Sequence, residues 1–124
     1  MNTNRTPEEI CLDVMRRSTC SVQVGAVLVD AMGILGWGWN HAGFTGMGEH
    51  AEVNALKRTN YHRQIGSTIY VASQRNRNQK AITSKPCERC QGWLEARGVS
   101  TVWWRGGDNL WHRLDLDSTH RPGR

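Results

Sequence analysis

The sequence predicts a three-layer α/β/α domain built on a mixed sheet of roughly five strands. Segments rich in β-branched residues alternate with amphipathic segments of helical period, in the order helix, hairpin, helix, strand, helix, strand. The chain has 124 residues, which suits one domain, and it shows no internal repeat or low-complexity segment. We assign residues 1–116 to this domain and residues 117–124 to a polar, flexible C-terminal tail.

The first elements are a helix and a β-hairpin. Thr6 can cap the helix and Glu9 can complete a capping box, so we expect a helix that runs to about Arg17. Residues 22–29 are rich in β-branched side chains and predict a buried strand. A turn separates them from residues 34–39, which we predict to form an antiparallel second strand.

The rest of the chain alternates helices with strands. A glycine-rich loop over 41–49 precedes the second predicted helix. The later elements are a helix over 50–59, a strand over 67–72, a polar hairpin tip over 74–80, a short strand over 81–84, a helix from Pro86 to Arg97 that Gly98 caps, a strand over 99–104 and a turn over 105–108.

Charge and cysteine usage narrow the class of protein. The net charge of +5 and the pI of about 9.4 favour anionic partners such as nucleotides or nucleic acid, although a soluble surface without such a partner explains them equally well. Residues 1–9 lack an apolar signal core, and no apolar run approaches the roughly 20 residues of a membrane span. We therefore expect a cytoplasmic protein without membrane contact, in which a close cysteine pair binds metal or acts in catalysis.

Two short motifs carry chemistry. Cys87 and Cys90 lie three residues apart at the start of a predicted helix, so both sulfur atoms face one side, where the positive helix end favours thiolates. His50 opens the preceding helix. Two thiolates and one imidazole make a three-ligand zinc site with an open position, where water becomes acidic enough to supply hydroxide at neutral pH.

Glu52 is the candidate acid–base residue. It lies two residues after His50, so its side chain points elsewhere around the helix and can lie beside the water rather than on the metal. There it can take a proton from the water and pass it on. A solvated helix charge would be the simpler interpretation of Glu52 if His50 were not beside it.

Other interpretations of the cysteine pair stay open. A structural zinc knuckle would need a fourth ligand from Cys11, Cys20 or another histidine. A thioredoxin-like redox pair is the other alternative. We interpret Cys11 and Cys20 as small apolar core residues rather than as ligands.

The motifs together resemble those of the cytidine and deoxycytidylate deaminase superfamily, including its tRNA adenosine deaminase branch. The resemblance covers about two thirds of the chain. The segments that carry it are Val24-Gly25-Ala26-Val27, Gly38-Trp39-Asn40, His50-Ala51-Glu52-Val53-Asn54-Ala55-Leu56, Pro86-Cys87-Glu88-Arg89-Cys90 and Gly98-Val99-Ser100-Thr101-Val102.

The resemblance implies a cytidine deaminase-like fold with one Zn²⁺ per chain on His50, Cys87 and Cys90, and proton shuttling by Glu52. It also implies that Asn40 hydrogen-bonds the substrate, an assignment that competes with an ordinary turn role for this residue. The backbone amide of Ala51 is expected to orient the base. The further expected substrate contacts, beside these motifs, are Trp39, Ser84 and Pro86.

One segment departs from the family. Residues 73–81 insert about nine residues before the cysteine motif and include Arg75, Arg77 and Lys80. The insert could clamp a phosphate or a nucleic-acid strand, or it could be a solvated hairpin tip. The six tryptophans leave a similar choice between core packing, base stacking and a subunit interface.

We therefore expect hydrolytic deamination of cytosine in a free nucleoside or nucleotide, giving uracil and ammonia. One alternative is a deaminase that acts on cytosine or adenine within single-stranded DNA or RNA, which the basic charge favours. Another is a non-catalytic, zinc-stabilised binding module, against which Glu52 argues. The resemblance further implies a homo-oligomer.

Overall fold

Three helices and six strands make up the described part of the chain, residues 5–42 and 50–116 of a computed structural model. In chain order the elements are α1 (Pro7–Met15), β1 (Val22–Asp30), β2 (Gly33–Trp39), α2 (Ala51–Lys57), a 3-10 helix (Tyr61–Gln64), β3 (Thr68–Arg75), β4 (Ala81–Ile82), α3 (Glu88–Ala96), β5 (Thr101–Arg105) and β6 (Trp111–Asp115). Most of the predicted glycine-rich loop and the predicted tail over 117–124 lie outside the described residues.

The strands form one mixed sheet in the order β2-β1-β3-β5-β6. β1 runs antiparallel to both β2 and β3, β3 runs parallel to β5, and β6 runs antiparallel to β5. The short strand β4 pairs with the end of β3, through Ser73 and Gln74. The predicted mixed α/β sheet is confirmed, with six strands where we expected roughly five.

Helices cover both faces of the sheet, as predicted. On one face, α2 and α3 enclose a core that includes Leu28 of β1, Leu56 of α2, Leu94 of α3 and Val102 of β5. On the other face, Cys11 and Met15 of α1 pack with Val27 of β1 and Ala72 of β3 in a smaller cluster. None of the described helices has the length and the apolar character that crossing a bilayer requires.

The capping box of α1 forms as the sequence predicts. The Thr6 hydroxyl accepts a hydrogen bond from the backbone N–H of Glu9 at 3.1 Å, and the Glu9 carboxylate accepts one from the backbone N–H of Thr6 at 2.9 Å. The helix ends at Met15, two residues before the predicted Arg17. The two reciprocal bonds satisfy backbone donors that the first helical turn leaves without partners.

The predicted strands of the second half need correction. Residues 111–115 form β6, an unpredicted strand whose two apolar residues give no strand pattern. β3 continues through Arg75, beyond the predicted end at residue 72, because the buried Gln74 side chain donates to that of Gln23 on β1. β4 covers only Ala81–Ile82 of the expected 81–84. The predicted hairpin tip is confirmed as the connection between β3 and β4, where the Arg75 N–H donates to the carbonyl of Lys80.

Gly25 sets the distance between α1 and the sheet. A Cβ atom on Gly25 would lie 2.5 Å from the backbone nitrogen of Met15 and 2.7 Å from the carbonyl oxygen of Cys11. We expect Gly25→Ala to lower the free energy of unfolding by about 1–3 kcal/mol, because backbone atoms must move. Gly92→Ala is the control: it lies inside α3 with open space around its Cβ position, and we expect a gain of about 0.5–1 kcal/mol. Urea unfolding measures the free energy of unfolding of both variants. Equal changes in Gly25→Ala and Gly92→Ala would contradict the close packing of α1 on Gly25.

Candidate active site

The starts of α2 and α3 meet at one end of the sheet and bring three metal-ligating side chains together. His50 is the N-cap residue of α2, Cys87 is the N-cap residue of α3, and Cys90 lies in the first turn of α3. The ligand atoms of the three lie within 4.8 Å of one another, with His50 Nδ1 3.0 Å from Cys90 Sγ. Among the described residues, no fourth histidine, cysteine or carboxylate joins this group.

This donor set suits zinc. Two sulfur atoms and one imidazole nitrogen are typical zinc ligands, and three protein ligands are typical of a catalytic site that keeps a position for water. A closed structural site would need a fourth protein ligand, which the described residues do not place here. The group can therefore hold one zinc ion.

The two cysteines differ in their electrostatics. The pKa of the exposed Cys87 thiol is lowered, chiefly by the backbone N–H of Cys90 that donates to its sulfur atom. Burial, together with a smaller contribution from the nearby Glu52 carboxylate, raises the pKa of Cys90 to about 12. The predicted preference for thiolate therefore holds at Cys87 and is reversed at Cys90, where a bound cation must supply the compensating charge.

Glu52 lies in the first turn of α2, and its side chain is only 6% exposed. Burial raises the pKa of its carboxyl group, and the neighbouring His50 partly opposes this shift. A carboxyl group with a raised pKa both accepts and releases a proton more readily near neutral pH than an ordinary surface carboxylate. Its burial rules out the solvated helix charge that the sequence left as an alternative.

A cavity of about 240 Å³ opens beside these residues. Eight of the nine predicted site residues line it: the three metal-ligating residues, Glu52 and four of the expected substrate contacts. Those four are Asn40, Ala51, Ser84 and Pro86. Segments far apart in sequence, from the end of β2 to the start of α3, thus meet around one space.

Trp39 is the predicted residue that does not line the cavity. Its neighbour Gly38 faces α2, since a Cβ atom there would lie 2.5 Å from the backbone nitrogen of Ala55. Side chains alternate along a strand, so Trp39 points to the other face of the sheet. Its ring centroid lies 5.5 and 4.9 Å from the guanidinium carbons of Arg17 and Arg58.

Asn40 lines the cavity and also holds the edge of the sheet. Its Oδ1 accepts a hydrogen bond from the backbone N–H of Val24 at 2.9 Å, and its Nδ2 donates to the carbonyl of Val22 at 2.8 Å. A carboxamide has two N–H groups and two acceptor positions on oxygen. One N–H group and one acceptor position are therefore left for a ligand. The hydrogen bonds to β1 fix the direction in which these two groups point.

Sequence reasoning missed several residues that line the cavity. Val71 and Ser73 alternate along the part of β3 that faces the site, and Thr83 and Lys85 lie just before Pro86. The alternation on β3 was a usable signal, but ending this strand at residue 72 concealed it. Nothing in the spacing of Thr83 and Lys85 indicated a role, because their segment belongs to no regular element.

The site geometry agrees with comparisons to known proteins. The family model of the cytidine and deoxycytidylate deaminase zinc-binding region matches residues 1–105. The fold is similar to that of a cytidine deaminase from Burkholderia pseudomallei, at 18% identity and a TM-score of 0.73, over 93% of this chain and 94% of that one.

Two further solved structures share the fold. A dCMP deaminase from the cyanophage S-TIM5 is 24% identical, with a TM-score of 0.61 over 81% of this chain and 79% of that one. RibD from Acinetobacter baumannii is 23% identical, with a TM-score of 0.54 over 77% of this chain and 26% of that one. No curated protein sequence matches the chain. Because the family model covers more than half of the sequence, this chain belongs to the zinc-dependent cytidine and deoxycytidylate deaminase family.

Proposed function

We propose that the protein hydrolyses the exocyclic amine of cytosine in a free nucleoside or nucleotide, giving uracil and ammonia. The observation that carries this proposal is the buried Glu52 carboxyl group in the same cavity as the three metal-ligating side chains. A zinc site that only stabilises a fold has no use for a buried, protonatable group beside it. This carboxyl group therefore argues against the non-catalytic binding module.

Proton transfer is the task of Glu52. When zinc is bound to His50, Cys87 and Cys90, it supplies Lewis acidity and lowers the pKa of the attacking water. Glu52 takes a proton from this water and delivers it to the ring nitrogen next to the reacting carbon. It then carries the second proton of the water to the departing amine. Water and the amine are consumed, and the carbonyl product and ammonia are formed.

Orientation of the base falls to Ala51 and Asn40. The backbone N–H of Ala51 lies in the first turn of α2, whose intrahelical hydrogen bonds begin with the N–H of Asn54 donating to His50. It is therefore free to donate to a ring carbonyl. Asn40 offers its remaining N–H and acceptor position, while Ser84 and Pro86, which also line the cavity, are proposed as further substrate contacts.

A substrate screen tests this proposal. We expect the zinc-loaded protein to release ammonia from cytidine, deoxycytidine or their monophosphates, with loss of the cytosine absorbance, and not from free cytosine or adenosine. Ammonia from none of these compounds would contradict the proposal. Ammonia only from a cytosine-containing or adenine-containing oligonucleotide would favour the second candidate.

That second candidate, a deaminase of single-stranded nucleic acid, is favoured by one observation. Arg75, Arg77 and Lys80 are all exposed on the hairpin between β3 and β4. A strand bound there would release counterions, so affinity for an oligonucleotide would fall steeply as salt is added. The homo-oligomer, the cytoplasmic location and the division between residues 116 and 117 stay predictions.

A further inference from the structure

We propose that the cavity selects a substrate whose sugar carries a phosphate group, and that Lys85 recognises this phosphate. This inference rests on the proposed function and narrows it from nucleosides and nucleotides to nucleotides. Lys85 makes its contact away from the reacting atoms, so it is a specificity-determining residue and not a catalytic one.

The first argument is the direction of the Lys85 side chain. Between β4 and α3, buried and exposed residues alternate: Thr83, Lys85 and Cys87 are exposed, whereas Ser84 and Pro86 are buried. Alternation is the pattern of an extended segment, in which every second side chain shares a face and each residue advances by about 3.3 Å. Lys85 therefore shares a face of this segment with the metal-ligating Cys87, about 7 Å along the chain from it, and both residues line the cavity.

The second argument is that this segment is held in place. The backbone N–H of Ser84 donates to the carbonyl of Arg105 at 2.9 Å, which ties the segment to the end of β5. The Gln91 side chain donates to the carbonyl of Pro86 at 2.8 Å, which ties it to α3. A lysine on a fixed backbone gives up less freedom on binding a ligand than one on an unsupported loop.

The third argument is charge. Among the described residues that line the cavity, Lys85 is the only lysine or arginine and Glu52 is the only aspartate or glutamate; Lys85 is exposed, and Glu52 is buried. No carboxylate within 5–42 or 50–116 forms an ion pair with Lys85. Its ammonium group is thus available to an anion from the ligand, and the Thr83 hydroxyl, which accepts from the Lys85 backbone N–H at 3.5 Å, can still donate its own proton to that anion.

The size of the cavity places the phosphate near Lys85. Its volume of about 240 Å³ is below the range of about 300–1,000 Å³ typical of ligand pockets. When the base lies against Glu52 and the metal-ligating residues, the groups attached to the far side of the sugar must extend towards solvent. Apart from the metal-ligating His50 and Cys87, the exposed residues that line the cavity are Thr83 and Lys85.

The test compares deoxycytidine, deoxycytidylate and a short single-stranded oligonucleotide with one cytosine. We expect the unmodified protein to have a kcat/KM at least about tenfold higher for the monophosphate than for the nucleoside, the size of one charge-assisted contact. Lys85→Ala should remove this preference by lowering kcat/KM for the monophosphate alone, and Lys85→Arg should retain most of it. Lys57→Ala, which removes the same charge outside the cavity, should leave kcat/KM unchanged for both the nucleoside and the monophosphate.

A binding measurement makes the outcome independent of turnover. Deoxyuridylate should bind about tenfold more tightly than deoxyuridine, and Lys85→Ala should abolish the difference. Equal turnover of nucleoside and monophosphate, or a loss of both in Lys85→Ala, overturns this inference and leaves the proposed function standing. A higher kcat/KM for the oligonucleotide than for the monophosphate would mean that Lys85 binds a phosphate of a nucleic-acid strand, and this result also overturns the inference. Absence of ammonia from every substrate overturns the proposed function instead.

Discussion

Replacing Glu52 by glutamine is expected to lower the rate of ammonia release by a factor of about 10²–10⁴. Glutamine has nearly the same shape as glutamic acid but cannot accept the proton from the water or return it to the departing amine. The side chain is buried in the cavity beside the metal-ligating group and is not one of its members. Zinc content and the far-ultraviolet circular dichroism spectrum should therefore stay unchanged.

Glu88→Gln is the matched control for this experiment. Glu88 is also a carboxylate in the first turn of a helix next to the metal-ligating residues, but it is exposed and does not line the cavity. It should keep nearly the full rate. A normal rate in Glu52→Gln would refute the role of proton carrier, and an equal loss in both variants would point to the general charge of the region.

Cys87→Ala is expected to abolish zinc binding and, with it, ammonia release. Removing one of three ligands leaves a site too weak to retain the metal, and binding of the metal is coupled to folding. At free zinc about 1,000-fold above the dissociation constant, the lost stabilisation is about 4 kcal/mol. Atomic absorption measures the zinc content, and thermal unfolding with and without a chelator measures the stability that the metal supplies.

The exposure of Cys87 makes this variant informative. Because its side chain is exposed, alanine removes a ligand without emptying a core site, whereas a change at the buried Cys90 would combine both effects. His50→Ala should behave like Cys87→Ala, since His50 is also exposed. Cys20→Ala is the control: Cys20 lies outside the metal-ligating group, so this variant should keep one zinc per chain. A stoichiometric zinc content in Cys87→Ala would contradict the three-ligand site.

Local chemistry explains the parts of the fold that could be predicted from sequence. The capping box of α1 involves Thr6 and Glu9, three residues apart, and the turn before β2 is equally short in range. The metal-ligating pattern is local too, since each motif lies at the start of one helix. The bounds of α2 and α3 were off by one or two residues, because His50 and Cys87 are the N-cap residues of their helices.

Pairing between distant segments explains the parts of the fold that could not be predicted from the sequence. β6 has only Trp111 and Leu114 as apolar residues, and it is a strand because β5 offers it a partner. β3 extends through polar residues because Gln74 finds a buried hydrogen-bond partner in Gln23. A hydrophobicity pattern cannot reveal such partners, since the energy that holds a polar side chain in the interior comes from a residue elsewhere in the chain.

The sequence by itself predicted the three candidate metal ligands, Glu52 as the proton carrier we propose, and a mixed sheet between helices, because each motif and each element is recognised from residues within a few positions of one another. The tertiary structure decided which other side chains face the cavity. It turned Trp39 away from the cavity, bound half of the Asn40 amide to β1 and placed Lys85 among the residues that line the cavity. The physical reason is that the direction of a side chain is set by the register and the packing of its strand, which involve residues far away in sequence.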